Sequence, residues 1–325
     1  MGLSSVLEYI GNDLEKVRSA MGDTLRSDIS LLDSTNRSIL ANDGKMMRPM
    51  ITILSALACS GTKSEETYSF AAAVELLHNA TLLHDDVVDN SSLRRGKPTV
   101  MSLLGSGPSV LIGDYWLVKA VDLVLSGRQP LRVTKLFSKT LSDLASGEML
   151  QLQCSKSCST TEEEYKRIIY SKTATLFEVS GMVGAISVDA DPSQEEKIRE
   201  FSYNLGMAFQ IKDDILDYVG SDSLGKPAGQ DLKEQKVTLP LLCAFEKVSA
   251  EKENTIRKLL CNVIETPSNI GEILSFVNEH DGIALAEEKL SGWVDKAISS
   301  LKGFPSSQAR NLLEELTLFV SERKH

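Results

Sequence analysis

Residues 75–90 read ELLHNATLLHDDVVDN, and residues 209–218 read FQIKDDILDY. Each stretch carries the pattern Asp-Asp-x-x-Asp on an apolar, helix-like background: Asp85, Asp86 and Asp89 in the first, Asp213, Asp214 and Asp217 in the second. Positions three and four apart share a helix face, so each trio of carboxylates crowds one turn. Their repulsion needs a counterion, and a hard divalent cation supplies it. Mg²⁺ is typically held by one or two carboxylates, waters and phosphate oxygens. A solvated acidic face is the competing reading. The apolar neighbours Leu82, Leu83, Val87 and Val88, and Ile211, Ile215 and Leu216, weigh against it, because they put both turns at the edge of a core. The two turns are expected to wall one metal- and diphosphate-binding site.

The chain around them has 325 residues, 42% of them apolar and 25% charged, the balance of a globular protein with a sizeable core. A net charge of −10 argues against nucleic acid as a partner while leaving room for a local basic pocket. The cysteines Cys59, Cys154, Cys158, Cys243 and Cys261 are odd in number and scattered, unlike a disulfide framework. A reducing, cytoplasmic setting is expected. Residues 1–20 hold no sustained apolar core of the kind a signal peptide needs. The charge-free stretch 98–113 is short and broken by Gly105, Gly107 and Pro108, so no integral membrane segment is expected.

Helical periodicity dominates throughout. Helices are expected over about residues 1–20, 24–40, 50–59, 64–90, 106–126 and 129–153. A capping box at Thr160 and Glu163 opens another through about 188, and Asp191-Pro192 starts one that carries the second acidic turn to Gly220. Core and terminal helices follow from Thr238, over 250–264, 268–279, 282–303 and 306–323. No strand alternation is convincing. The fold class is all-α, a single helical domain over residues 1–325 bundled around a central cavity.

Positive charge accompanies the acidic turns. Lys45 and Arg48 flank a loop and helix start, where spare N–H groups attract anions; two ordinary surface cations would look the same. Arg94, Arg95 and Lys97 follow directly on the first acidic turn. They suit the planar gripping of phosphate oxygens, or plain Asp–Arg pairing. Lys172 lies in an apolar, small-residue run, either snorkelling outward or facing a polar cavity. A polar loop at 221–235 carries Lys226 and Asp231, and Lys236 follows it.

Taken together, the stretches DGKMMRP (43–49), HNATLLHDDVVDNSSLRRGKP (78–98), KT (172–173), GMAFQIKDDILD (206–217) and GKPAGQDLKEQKVTLP (225–240) resemble the trans-isoprenyl diphosphate synthases, of the medium- to long-chain type. Asp43 departs from the glycine usual there. The resemblance implies an all-helical isoprenoid synthase fold, a homodimer, and Mg²⁺, about three ions per active site, on the six aspartates. It implies that an allylic diphosphate ionises, gripped further by Arg94, Lys172, Lys226 and Lys236. Thr173 and Gln210 steady the allylic cation. Isopentenyl diphosphate lies on Lys45, Arg48, His78 and Arg95, attacks through its double bond, and loses a proton to the released diphosphate.

The resemblance also bears on product length. Short-chain relatives block the channel with aromatics four and five positions before the first motif, where this chain has Thr81 and Ala80. The wall is expected to descend through Leu77 and Val74 to a floor at Phe70 or Phe137. The expected product is longer than four isoprene units. The alternatives are a farnesyl or geranylgeranyl diphosphate synthase, a terpene cyclase, and a non-catalytic subunit of a heteromeric synthase. A cyclase normally lacks a second Asp-Asp-x-x-Asp, and such a subunit usually loses Asp or Arg residues that are present here.

Overall fold

The computed structural model describes residues 2–41, 44–94, 96–220 and 228–323. In chain order the helices are α1 (Gly2–Thr24), α2 (Ser30–Leu40), α3 (Met47–Ser60) and α4 (Glu65–Val88). A ribbon of β1 (Leu93–Arg94) and β2 (Lys97–Pro98) follows, then α5 (Val100–Leu104), α6 (Ser106–Leu125), α7 (Pro130–Ser157) and α8 (Glu162–Ile169). A π-helical turn, Tyr170–Ala174, leads into α9 (Thr175–Ile186) and α10 (Pro192–Val219). The remainder is α11 (Gln230–Lys233), α12 (Leu239–Phe245), α13 (Ala250–Cys261), α14 (Asn269–Glu279), α15 (Gly282–Leu301) and α16 (Gln308–Glu322).

The fold is all-α, as expected, apart from that ribbon, which pairs Leu93 with Pro98 and Arg94 with Lys97. Several boundaries differ from expectation. Helix α3 begins at Met47 rather than 50, and α7 runs on to Ser157 rather than 153. The apolar repeat of α1 continues through buried Met21 and Leu25, so residues to Thr24 belong to α1 and α2 begins only at Ser30. The capping box falls on Thr161 and Glu164 rather than Thr160 and Glu163. Thr160 is drawn into the interior, where Arg257 Nη2 donates to its carbonyl at 3.2 Å. The helix expected to continue through 188 is interrupted by the π turn. Asp191 caps α10 as expected, its Oδ1 accepting from the N–H groups of Ser193 and Gln194.

Two compact units make up the chain. One comprises Met1–Ser138, Val179–Arg199 and Gly303–Leu313; the other comprises Lys139–Glu178, Glu200–Lys302 and Glu314–His325. In the first, α4 is the central element and packs against α1, α3 and α6. Its middle is buried nearly all round, from Phe70 to Leu77, as a helix enclosed by others must be. Ser64 and Thr67 cap its start reciprocally. Several polar groups inside this unit are paired: Tyr68 Oη donates to Asp13 at 2.8 Å, and Lys63 Nζ lies 2.7 Å from the same carboxylate. Trp116 Nε1 donates to Asn36 Oδ1 at 2.8 Å, while Asn36 Nδ2 donates to the Leu25 carbonyl at 2.9 Å.

The second unit is built on α12, wholly buried and packed against α15 and α14. Tyr165, Met207, Ile211, Ile215, Phe245, Phe276 and Leu290 belong to its core. No described helix is long and apolar enough to cross a membrane.

Replacing Asn36 by leucine strands the Trp116 N–H and the Leu25 carbonyl in a buried setting. The expected cost is about 1–3 kcal/mol for an unsatisfied group, read as a lower urea midpoint with unchanged slope.

Candidate active site

The first acidic turn closes α4. Asp86 is buried, Asp85 half-buried, and Asp89 stands exposed at the helix C-cap. The chain then doubles back: Ser91 N–H donates to the Asp86 carbonyl at 2.9 Å, and Thr99 holds the far arm through the Ser91 and Ser92 carbonyls. This ribbon returns Arg94 over the helix end, so that its Nε and Nη2 lie 2.9 and 2.8 Å from Asp86 Oδ1. The Asp–Arg pairing considered from sequence is therefore present between Arg94 and Asp86.

Elsewhere in this unit, α3 and α4 form a helical hairpin. Arg48 lies near the start of α3 and His78 in the second half of α4. Arg48 and His78 are half-buried and Lys45 is exposed. Arg95 and Lys226 lie outside the described residues, as does Asp43. The open face of α4 presents His78, Thr81 and Asp85, all partly exposed. The residues expected to line its wall differ: Val74 and Ala80 are 0% exposed, and Phe70 and Leu77 are 1%. They sit within the helix packing, and the Phe70 ring lies against Gly127. Phe137 is likewise buried on α7.

In the second unit the site is organised by the π turn. Such turns carry one extra residue and re-aim side chains, often at functional sites. Two glycines make room for it. A Cβ on Gly147 of α7 would meet Ser171 Cβ at 2.4 Å, and one on Gly206 of α10 would meet Ala174 Cα at 2.6 Å. The turn can therefore lie against both helix backbones. Lys172 consequently reaches Glu148 Oε2 at 2.6 Å and faces a polar cavity rather than snorkelling away. Thr173 Oγ1 donates to Gln210 Oε1 at 2.6 Å, Gln210 Nε2 donates to Asp214 Oδ1 at 2.8 Å, and Tyr165 Oη donates to Asp214 Oδ2 at 2.6 Å. The chain of bonds runs from the turn to the middle of the second acidic motif.

Beside it is a cavity of about 210 Å³ lined by Lys172, Gln210, Asp214, Asp231 and Lys236 together with Cys154, Thr160 and Thr238. Lys236 pairs with Glu234 and lies 3.9 Å from Asp231. Asp217 faces the start of α11, accepting from the N–H groups of Gln230 and Asp231 at 3.0 Å each. Burial pushes the Asp214 carboxyl well above its ordinary range, with Asp231 adding to the effect against the Tyr165 and Gln210 hydrogen bonds. Burial, then the neighbouring Asp217, raises Asp231 to about 6. Asp213 is paired with Arg323, whose Nη2 lies 2.9 Å from its Oδ1.

These groups suit a divalent cation by donor chemistry: each acidic turn offers only hard carboxylate oxygens. No three such groups already converge among the described residues. Instead Arg94 and Arg323 supply positive charge to one carboxylate of each turn. Sequence reasoning missed Tyr165, Glu148 and Arg323. None belongs to a motif, and only tertiary packing brings them to the aspartates and to Lys172.

A family model described as polyprenyl synthetase matches residues 29–277. The octaprenyl diphosphate synthase of Escherichia coli is 36% identical over 99% of both chains. An all-trans-nonaprenyl-diphosphate synthase of Rhodobacter capsulatus is 34% identical over 98% of this chain and 97% of its own. Among solved structures, a polyprenyl synthase from Caulobacter crescentus, complexed with calcium and isoprenyl diphosphate, superposes with a TM-score of 0.90 at 33% identity, covering 99% and 98% of the two chains. A decaprenyl diphosphate synthase from R. capsulatus gives 0.91 at 31% identity over 99% of each chain.

Gly206→Ala forces α10 away from the π turn. The expected cost is about 1–3 kcal/mol of overpacking. Gly11→Ala, in the middle of α1 with open space around it, is expected to stabilise by about 0.5–1 kcal/mol. Denaturant unfolding of the two variants distinguishes close approach from simple helix propensity.

Proposed function

The chain belongs to the polyprenyl synthetase family, and on that premise we propose that it is a trans-prenyltransferase. It condenses an allylic diphosphate with isopentenyl diphosphate, repeatedly, to an all-trans polyprenyl diphosphate longer than C20. The likeness to octaprenyl and nonaprenyl synthases over nearly the whole length of both chains carries this reading. The same full-length likeness supports treating residues 1–325 as one isoprenoid synthase domain.

Asp85, Asp86, Asp89, Asp213 and Asp214 are the oxygen ligands offered to Mg²⁺, and the calcium in the Caulobacter complex supports divalent chemistry in the family. Mg²⁺ held by these carboxylates would supply positive charge to the leaving diphosphate. Asp217, engaged with two backbone N–H groups, anchors the start of α11 as well as contributing its charge. Arg94, Lys172, Lys226 and Lys236 grip the allylic diphosphate. Lys45, Arg48, His78 and Arg95 hold isopentenyl diphosphate.

Thr173 and Gln210 steady the allylic cation, and their hydrogen bonds set how. The Gln210 amide N–H₂ is committed to Asp214, so its oxygen faces Thr173. The Thr173 hydroxyl spends its proton on that oxygen and presents lone pairs, the right polarity toward positive charge. The proton lost as the new double bond forms passes to the released diphosphate.

A homodimer fits the exposed apolar stripe Leu111, Val118 and Leu125 on α6, 69%, 60% and 55% exposed at seven-residue spacing. All five cysteines are free, which suits a cytoplasmic setting.

Labelled isopentenyl diphosphate should be incorporated with Mg²⁺, lost on chelation and restored by excess Mg²⁺. Products limited to C15 or C20 would overturn the long-chain reading. Asp86→Asn is expected to lower kcat by about 10²-fold or more. On the open face of α4, Thr81→Phe is expected to shorten the product. Ala80→Phe, enclosed in the packing, is expected first to cost about 1–3 kcal/mol of stability. Chromatography of the hydrolysed products and a melting curve read the two effects.

A further inference from the structure

Arg323 stands one residue beyond α16, its N–H donating to the Phe319 carbonyl at 3.1 Å, and so continues the last turn. Its side chain is 9% exposed. The guanidinium lies over the Phe209 ring, 4.0 Å from the centroid, and Nη2 donates to the Phe209 carbonyl at 2.6 Å. The same nitrogen lies 2.9 Å from Asp213 Oδ1, while Nε is buried with no acceptor among the described residues. A desolvated cation with one donor unsatisfied is thus seated on the first carboxylate of the second acidic motif. Asp214, one residue on, adds negative charge to the same neighbourhood.

We propose that Arg323 is a positioning residue that holds the Asp213 carboxylate until a divalent cation takes it, so that metal loading and release of the Arg323 side chain are one exchange. The inference rests on the reading of the second motif as a metal ligand set. The Asp213 side chain is itself 42% exposed, but it stands next to the buried Asp214, and crowded like charges gain from a positive partner. Arg323 supplies one when metal is absent, and a metal ion competes for the same charge. The Phe209 ring and carbonyl hold the guanidinium itself, so exchange means that the guanidinium leaves these contacts together with Asp213. The unsatisfied Nε makes the resting seat an incomplete one, which lowers the cost of leaving it. Arg94 on Asp86 offers the same kind of partner at the first motif, but from an adjoining ribbon rather than from a helix more than a hundred residues away.

The test is a Mn²⁺ titration, free Mn²⁺ read by electron paramagnetic resonance, with and without inorganic diphosphate. Arg323→Met keeps an apolar stem over Phe209 and removes the competing charge. Mn²⁺ is expected to bind roughly ten-fold tighter than to wild type without diphosphate, as befits loss of a charge-assisted bond. In an Asp213→Asn background the same change is expected to leave the constant unmoved. Arg323→Lys, retaining charge without the fork, is expected to fall between. Melting temperatures provide a second readout. Exchange predicts that Arg323→Met lowers stability without metal and that saturating Mn²⁺ narrows the gap. An ion pair that merely pins α16 to α10 predicts equal losses in both conditions. Equal Mn²⁺ constants for wild type and Arg323→Met would overturn the inference. If wild type binds no Mn²⁺ even with diphosphate, the metal-ligand reading itself fails, a distinguishable result.

Discussion

The π turn at Tyr170–Ala174 can exist in its present place only because two helix backbones leave it room. Gly147 on one side and Gly206 on the other lack the Cβ atoms that would collide with Ser171 and Ala174. That steric constraint has chemical consequences. It brings Lys172 to Glu148, sets Thr173 against Gln210, and through Gln210 and Tyr165 fixes both oxygens of Asp214. Each bond orients the next, which is how a buried polar network becomes a defined arrangement rather than a set of alternatives.

A second theme is how the protein tolerates crowded carboxylates. Each acidic turn concentrates like charge beside apolar surface, an arrangement that is costly without partners. The chain spreads the task among different donors: a guanidinium on Asp86, another on Asp213, a phenol and an amide on Asp214, and two backbone N–H groups on Asp217. Lys172 and Lys236 are meanwhile held by Glu148 and by Glu234. Ion pairs of this kind are exchangeable, which suits the role toward a diphosphate proposed for these two lysines.

Much of this was legible in the order of residues. The two Asp-Asp-x-x-Asp patterns, the basic run after the first, the Asp191-Pro192 start and the run of alanines in α4 all express short-range rules of helix geometry and capping. Contacts between distant segments were not legible, and two features illustrate it. Ala80 carries no local sign of being enclosed, because burial depends on what packs beside α4. The capping box stands at Thr161, one residue beyond a buried Thr160 whose carbonyl accepts from Arg257, nearly a hundred positions away.

The sequence by itself determined the helical class, the family-like motifs and the residue types available for metal and diphosphate, because these rest on spacing within a single helix turn. Only the tertiary structure decided which cation sits on which carboxylate, that Lys172 faces a cavity, and that Tyr165, Glu148 and Arg323 belong to the site. Those outcomes depend on contacts between segments far apart in the chain, and local periodicity carries no record of them.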